Sequence, residues 1–196
     1  FNINIFQVFF FILIINSCSY PEIIRDEQIY YNDFENNNLS KIDGGGLFFF
    51  NQSNVIGNFN NDGFTLHLDN VGPHEYIFVS FDLYIHGSWD GNLNGFPEDD
   101  KADKWIMEYK PDMNLFKDTA VDKFVTTFSN SPCWPNYCLR QSYPENYPFE
   151  NNPKTGSFKT NMAKICADSF FGEKTTLYQI EKGFKIPPVK KSKIPN

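Results

Sequence analysis

A strict alternation between Tyr76 and His86 is the feature that most constrains the fold. The stretch reads "YIFVSFDLYIH", in which every odd position from Ile77 to Ile85 is apolar. The even positions carry polar side chains such as Ser80 and Asp82 together with aromatic rings. Because successive side chains of a β-strand point to opposite faces, this pattern predicts a half-buried strand.

Shorter runs of the same kind lie on both sides of that strand. "LFFF", "NVIGNF" and "FTLHLDN" precede it, and "KWIMEYK", "DKFVTTF" and "TTLYQIEKGFKI" follow it. Asn, Gly and Asp separate the early runs, as expected of turns. An aromatic content of 18% also favours strands, because flat rings pack well on pleated surfaces. With no internal repeat and no helical pattern, residues 41 to 186 are predicted to form an all-β domain, a β-sandwich or jelly roll.

The loop after the long strand, "SWDGNLNG", has the spacing of a cation-binding turn. Asp90, Asn92 and Asn94 place oxygen atoms at alternate positions, and Gly95 permits a bend. Glu98, Asp99, Asp100 and Asp103 add carboxylates close by. The pattern predicts a structural calcium site whose ligands are Asp90, Asn92, Asn94, Glu98 and Asp103.

Two features separate this loop from an EF-hand, and a simpler interpretation also exists. The twelfth position is Lys101 instead of Glu, and a strand instead of a helix precedes the loop. Asp-Gly-Asn and Asn-Gly are in any case good turn formers, since Asn and Gly tolerate left-handed backbone. Four further acids within a few residues favour calcium over a plain turn.

The N-terminal segment has the character of an export signal. The first eighteen residues carry no charge, and the run "IFQVFFFILII" has the length of a signal's apolar region. "INSC" resembles a bacterial lipobox, which predicts a signal peptide over residues 1–18 and acylation of Cys18. We expect an exported protein, either a lipoprotein of the outer membrane or cell surface or a secreted protein. The alternative is a buried apolar strand. Phe1 is neither Met nor basic, so we expect the true start to lie upstream.

Export also guides the interpretation of the remaining segments and cysteines. Residues 19–40 are predicted to be a tether and a first strand, and residues 187–196 a basic, disordered tail. In an oxidising compartment Cys133 and Cys138 of "CWPNYC" are predicted to form a disulfide, the alternative being two free thiols. Cys166 is then most simply a small buried residue.

Charge and motifs restrict the function. A net charge of −7 argues against nucleic-acid binding, which needs a basic face, and membrane contact is expected only through the signal or lipid. G-x-S-x-G and H-E-x-x-H are both absent from the sequence, so we predict a protein that is not an enzyme. One alternative is a polysaccharide-active enzyme, which needs only two well-spaced carboxylates, or the accessory domain of such an enzyme. Another is a purely structural spacer.

Aromatic residues in loops suggest a ligand. Trp89, Trp134 and Tyr137 lie in or next to loops, where flat rings can stack against sugars. Each of them is individually more often a packing residue, because such rings bury large areas. We therefore predict adhesion or carbohydrate recognition through these three residues, with glycans or surface polymers as partners.

The longest specific string is similar to a known family. "VIGNFNNDGFTLHLDNVGPHEYIFVSFDLYIHGSWDGN", followed by "ADKW", "TTFSN", "QSYPENYP" and "NNPKTGSF", resembles secreted jelly-roll domains of bacterial cell-surface proteins. The resemblance covers Gly57 to Phe158 and implies a lectin-like fold with Asp90, Asn92 and Asp103 as polar anchors. The family's "GPD" triplet appears here as Lys101-Ala102-Asp103, which keeps only the Asp. Further strands are implied beyond Phe184, so we expect a C-terminally truncated domain.

Overall fold

The computed structural model describes residues 26–72, 74–93, 102–110, 122–133, 135, 138–165 and 174–185. These ranges contain strands and no helix, which confirms the all-β prediction. Within them there is accordingly no helix long and apolar enough to cross a membrane. The strands are β1 (Ile42–Asp43), β2 (Leu47–Phe50), β3 (Ser53–Ile56), β4 (Thr65–Leu66), β5 (Tyr76–Ile85), β6 (Lys104–Tyr109), β7 (Asp122–Thr127), β8 (Lys159–Met162) and β9 (Thr175–Lys185).

The chain divides into two compact units, residues 1–33 and residues 34–196. In the described part of the first unit, the Asn32 side-chain amide donates a hydrogen bond to the Tyr30 hydroxyl at 3.0 Å. The signal peptide with Cys18, the basic tail and Cys166 lie outside the described residues. All of the strands belong to the second unit.

The main sheet of the second unit has the order β5-β9-β8. β5 and β9 pair antiparallel over their whole common length, with Tyr76 opposite Lys185 and Ile85 opposite Thr176. β8 joins the other edge of β9 with an irregular register between Lys159 and Met162. The long alternating stretch is therefore a sheet strand, as its period predicts.

One face of this sheet, here called the inner face, carries the larger core. The β6–β7 ribbon lies against it, and the Trp105 ring on β6 is 5.9 Å from the Phe81 ring on β5. Odd-numbered residues of β5 point to this side, which is why the alternation is apolar there. The buried cluster comprises Ile85, Phe124, Phe128, Tyr143, Tyr178 and Ile180.

The opposite, outer face is covered at one end by the β2–β3 hairpin. Phe50 of the hairpin is buried, and its ring contacts Tyr84 edge-on at 5.2 Å. Met162 and Leu177 complete this second cluster. At the other end of β5 the rings of Tyr76 and Phe78 are exposed. The main sheet thus has packed layers on both faces, and a jelly-roll topology in particular stays a prediction.

The Pro- and Asn-rich segment that precedes β8 is ordered by side chains instead of by strands. The predicted disulfide between Cys133 and Cys138 is confirmed. The side chain of Gln141 is fully buried, and its oxygen accepts hydrogen bonds from the backbone N–H groups of Ser129 and Lys154 at 3.1 and 2.8 Å. Its amide nitrogen donates to two backbone carbonyl groups, so every polar atom of this buried amide is satisfied.

Candidate functional site

The "SWDGN" loop begins directly after β5, and its tryptophan turns inward. The Trp89 ring is half-buried and meets the Phe128 ring edge-on, with centroids 6.0 Å apart. The Trp89 carbonyl accepts a hydrogen bond from the Asn130 backbone N–H at 2.8 Å. The structure therefore places Trp89 against the core, and its assignment as a ligand-binding residue stays a prediction.

Gly91 brings two segments of backbone into close approach. Its φ is 63°, and a Cβ atom at this position would lie 2.0 Å from the Arg140 carbonyl oxygen. The Gly91 backbone N–H donates a hydrogen bond to the Phe128 carbonyl at 2.9 Å. The Asn92 backbone N–H donates to the Arg140 carbonyl at 2.7 Å. Only glycine has both the required backbone freedom and the required size at this crossing.

Asn92 uses its whole side chain to join separate parts of the chain. Its amide nitrogen donates to the Phe149 carbonyl at 2.7 Å. Its oxygen accepts hydrogen bonds from the hydroxyls of Thr127 and Ser142. An amide oxygen has two lone pairs, and both are used here. A calcium ion would have to displace these hydroxyls to bind Asn92, whose role as a ligand stays a prediction.

Asp90 and Asp103 bring two carboxylates together. The Asp90 backbone N–H donates to Asp103 Oδ2 at 3.2 Å, and Asp90 Oδ1 accepts a hydrogen bond from the Ser131 hydroxyl at 2.6 Å. Burial raises the pKa of Asp103; the hydrogen bond from Asp90 opposes this shift, and the negative charge of Asp90 adds to it. The two groups form a site where a bound cation would be favoured, because it would offset both repulsion and desolvation.

These two carboxylates fit part of a calcium shell. Calcium takes six to eight oxygen ligands, and Asp90 and Asp103 supply hard oxygens from two segments. Asn94 and Glu98 lie outside the described residues. Within the described ranges no group of three or more His, Cys, Asp or Glu side chains is placed to hold a metal ion. The calcium site therefore stays a prediction to which the structure contributes two adjacent carboxylates.

Two of the predicted ligand-binding aromatic residues belong to the cysteine loop. Trp134 and Tyr137 lie outside the described residues, whereas Cys133 and Cys138 on either side of them are joined by the disulfide. The disulfide brings the two ends of this short loop together. Ligand binding by Trp134 and Tyr137 stays a prediction.

Sequence reasoning missed the hydroxyl residues that hold the loop. Ser131 holds Asp90, and Thr127 and Ser142 hold Asn92. These partners are 35 to 50 positions away from the loop residues that they contact. Serine and threonine are common in such segments, so no local signal distinguishes the three that reach the loop.

With the fold and the loop geometry established, comparison with known proteins adds no assignment. No protein family, no curated protein and no solved structure matches this chain.

Proposed function

We propose that this chain is an exported, non-catalytic surface module for adhesion or carbohydrate recognition, stiffened by a structural calcium ion. The observation that carries the proposal is the pair of acidic residues after β5, Asp90 and Asp103, of which Asp103 accepts a hydrogen bond from the Asp90 backbone and feels the charge of the Asp90 carboxylate. Asp103 lies at the surface, and partial desolvation there disfavours its charged form and raises its pKa. A site of this kind is expected where a cation is to be bound.

Calcium would supply a positive charge that offsets the repulsion between Asp90 and Asp103. Bound by Asp90 and Asp103, it would connect the loop after β5 to the residue that precedes β6. The Ser131 hydroxyl already orients the Asp90 carboxylate, so little side-chain freedom would be lost on binding. Asn94 and Glu98 are the proposed further ligands.

Export and the absence of catalysis complete the proposal. The Cys133–Cys138 disulfide is compatible with an oxidising compartment, where lipidation at Cys18 would anchor the module. His86, a partly buried histidine, is used for structure: its Nδ1 atom is 2.6 Å from the Thr175 hydroxyl, and burial lowers its pKa to about 4. A histidine that is neutral and held in this way supports a packing role over acid-base chemistry.

Thermal unfolding of the full chain tests the calcium proposal. We expect calcium at about 100 times its dissociation constant to raise the unfolding midpoint by roughly 5–10 °C relative to chelator. In Asp103→Asn the calcium effect should largely disappear. The same variant should be at least as stable as wild type in chelator, because it removes a partly desolvated charge that Asp90 repels.

An exposed carboxylate provides the matched control. Asp69 is exposed, and Asp69→Asn should keep the full calcium effect. Coincident unfolding curves in calcium and in chelator for the wild type would exclude the calcium site. A calcium effect that survives in Asp103→Asn would place the ion elsewhere.

A further inference from the structure

The uncovered half of the outer face carries a pair of aromatic rings. Tyr76 and Phe78 are 48% and 66% exposed. Their rings are nearly parallel, with an interplanar angle of 21° and centroids 6.3 Å apart. Large rings normally contribute to a core, so two adjacent exposed rings on a regular sheet face indicate a surface that binds something. We call this pair the Tyr76–Phe78 platform.

The platform is held by the strand that pairs with it. Phe78 is opposite Gly183 on β9, and a Cβ atom at Gly183 would lie 2.9 Å from the Phe78 ring. The ring therefore occupies the space above the glycine backbone. Lys185 is opposite Tyr76, and its ammonium group is 5.8 Å from the centre of that ring. The rings are placed before any ligand arrives, which lowers the entropic cost of binding.

Polar side chains continue the same face beyond the rings. Ser80 is paired with Glu181 and Asp82 with Gln179, and all four are exposed. Carboxylate and amide oxygens accept hydrogen bonds, and the amide and hydroxyl groups also donate them. The face thus combines two apolar rings with a row of hydrogen-bonding groups on one rigid ladder.

We propose that the Tyr76–Phe78 platform binds the sugar rings of an uncharged polysaccharide. The C–H groups on a pyranose face are positively polarised and would stack on the electron-rich faces of Tyr76 and Phe78. The sugar hydroxyls would bond to the polar row, donating to the carboxylates of Asp82 and Glu181. The proposal rests on the recognition function proposed above and identifies its site and ligand class.

Charge and polarity select this ligand over others. Among the described residues of this half of the face, two carboxylates stand against the one ammonium of Lys185, a balance that disfavours an acidic polymer. An apolar protein surface would cover the rings but would also bury Asp82 and Glu181 without partners, which is costly. A chain of neutral, hydroxyl-rich rings satisfies both halves of the face.

Native gels cast with soluble polysaccharides test the proposal on the full chain. The probes are galactomannan, xyloglucan and mixed-linkage β-glucan, with polygalacturonate as the acidic comparison. We expect retardation by at least one neutral polymer and none by polygalacturonate. Phe78→Ala and Tyr76→Ala should each weaken binding about tenfold or more. Gly183→Ala should weaken it as well, because the new methyl group displaces the Phe78 ring.

Phe149→Ala is the matched control, since Phe149 is a similarly exposed ring at 52% that lies in the loop held by Asn92. Its binding should equal that of the wild type. Failure of all three neutral polymers to retard the chain would overturn the proposal, as would retardation by polygalacturonate alone or undiminished binding by Phe78→Ala. Sedimentation that shows dimers lost in Phe78→Ala would identify the platform as a contact between copies and would also overturn it.

The sugar and calcium experiments report on separate ends of β5. Ten strand residues place the platform about 30 Å from the loop that carries Asp90. Retardation by a neutral polymer without any calcium effect on unfolding would reject only the calcium ion. A calcium effect without retardation would reject only the platform.

Discussion

At the scale of single residues, Gly87 and Gly91 have similar backbone conformations but differ in how closely other atoms approach them. Both have positive φ, 70° and 63° respectively. Around Gly87 a Cβ atom would meet nothing within 4 Å, whereas at Gly91 it would lie 2.0 Å from a carbonyl oxygen. The two glycines therefore separate the cost of left-handed backbone from the cost of a steric clash.

Alanine substitutions measure these two costs. Gly87→Ala should lower the free energy of unfolding by about 1 kcal/mol, the cost of positive φ for a residue with a Cβ atom. Gly91→Ala should lower it by roughly 3 kcal/mol or more, because the backbone around Arg140 must also move. Urea unfolding at 25 °C provides the comparison, and equal losses in the two variants would show that the clash is relieved at no cost.

The sequence identifies the "SWDGN" loop as unusual, but it does not show which contacts hold the loop in place. Asp90, Gly91 and Asn92 stand out because their spacing is typical of a turn around a cation. The structure adds that Asn92 joins Thr127 to Ser142 and that Gly91 passes close to Arg140. Such contacts depend on which distant segments meet, and short-range spacing carries no information about that.

At the scale of elements, strands were predicted well where one face is consistently apolar. The stretches expected to form β5 and β9 end within one residue of the observed strands. "FTLHLDN" alternates as well, but only Thr65 and Leu66 pair, because β1 offers a partner of two residues. β8 was missed, since "KTNM" has no alternation and pairs only because β9 presents its second edge.

The β2–β3 hairpin provides a test at this scale. Phe50 is 6% exposed and packs with Met162 and Leu177, whereas its neighbour Phe49 is 68% exposed. Phe50→Ala should lower the free energy of unfolding by roughly 3–5 kcal/mol, because it leaves a cavity between the hairpin and the sheet. Phe49→Ala should change it by about 0.5 kcal/mol or less. Urea unfolding would contradict this packing if both variants lost equal stability.

At the scale of the whole second unit, stability depends on layers that meet on both faces of one sheet. The alternation of β5 predicts one buried face, which the β6–β7 ribbon covers. The sequence could not predict that the β2–β3 hairpin covers half of the other face. All four residues of "LFFF" are apolar, so the pattern does not indicate which side of the strand is buried. His86 lies at this second contact, with its ring 5.0 Å from the Phe50 ring.

The pH dependence of unfolding should report on that contact. The Thr175 hydroxyl donates to the Ala163 carbonyl, so the Nδ1 atom of His86 must donate to Thr175, and Nδ1 carries a hydrogen. Burial lowers the pKa of His86 to about 4, below its usual value of 6.5. The unfolded chain therefore binds a proton more readily, and stability should fall as the pH is lowered from about 6.5 to about 4. Because the ring keeps some contact with solvent, we expect a loss of roughly 1–2 kcal/mol.

His86→Phe isolates this contribution. Phenylalanine can fill the same space against Phe50 without a proton to gain, so the variant should show a flatter stability profile between pH 6.5 and pH 4. Asp103 acts in the opposite direction, since its raised pKa means that protonation in acid relieves its desolvation and its repulsion by Asp90. The difference between the wild-type and variant curves removes that shared effect. An unchanged slope in His86→Phe would show that His86 is not the source of the pH dependence.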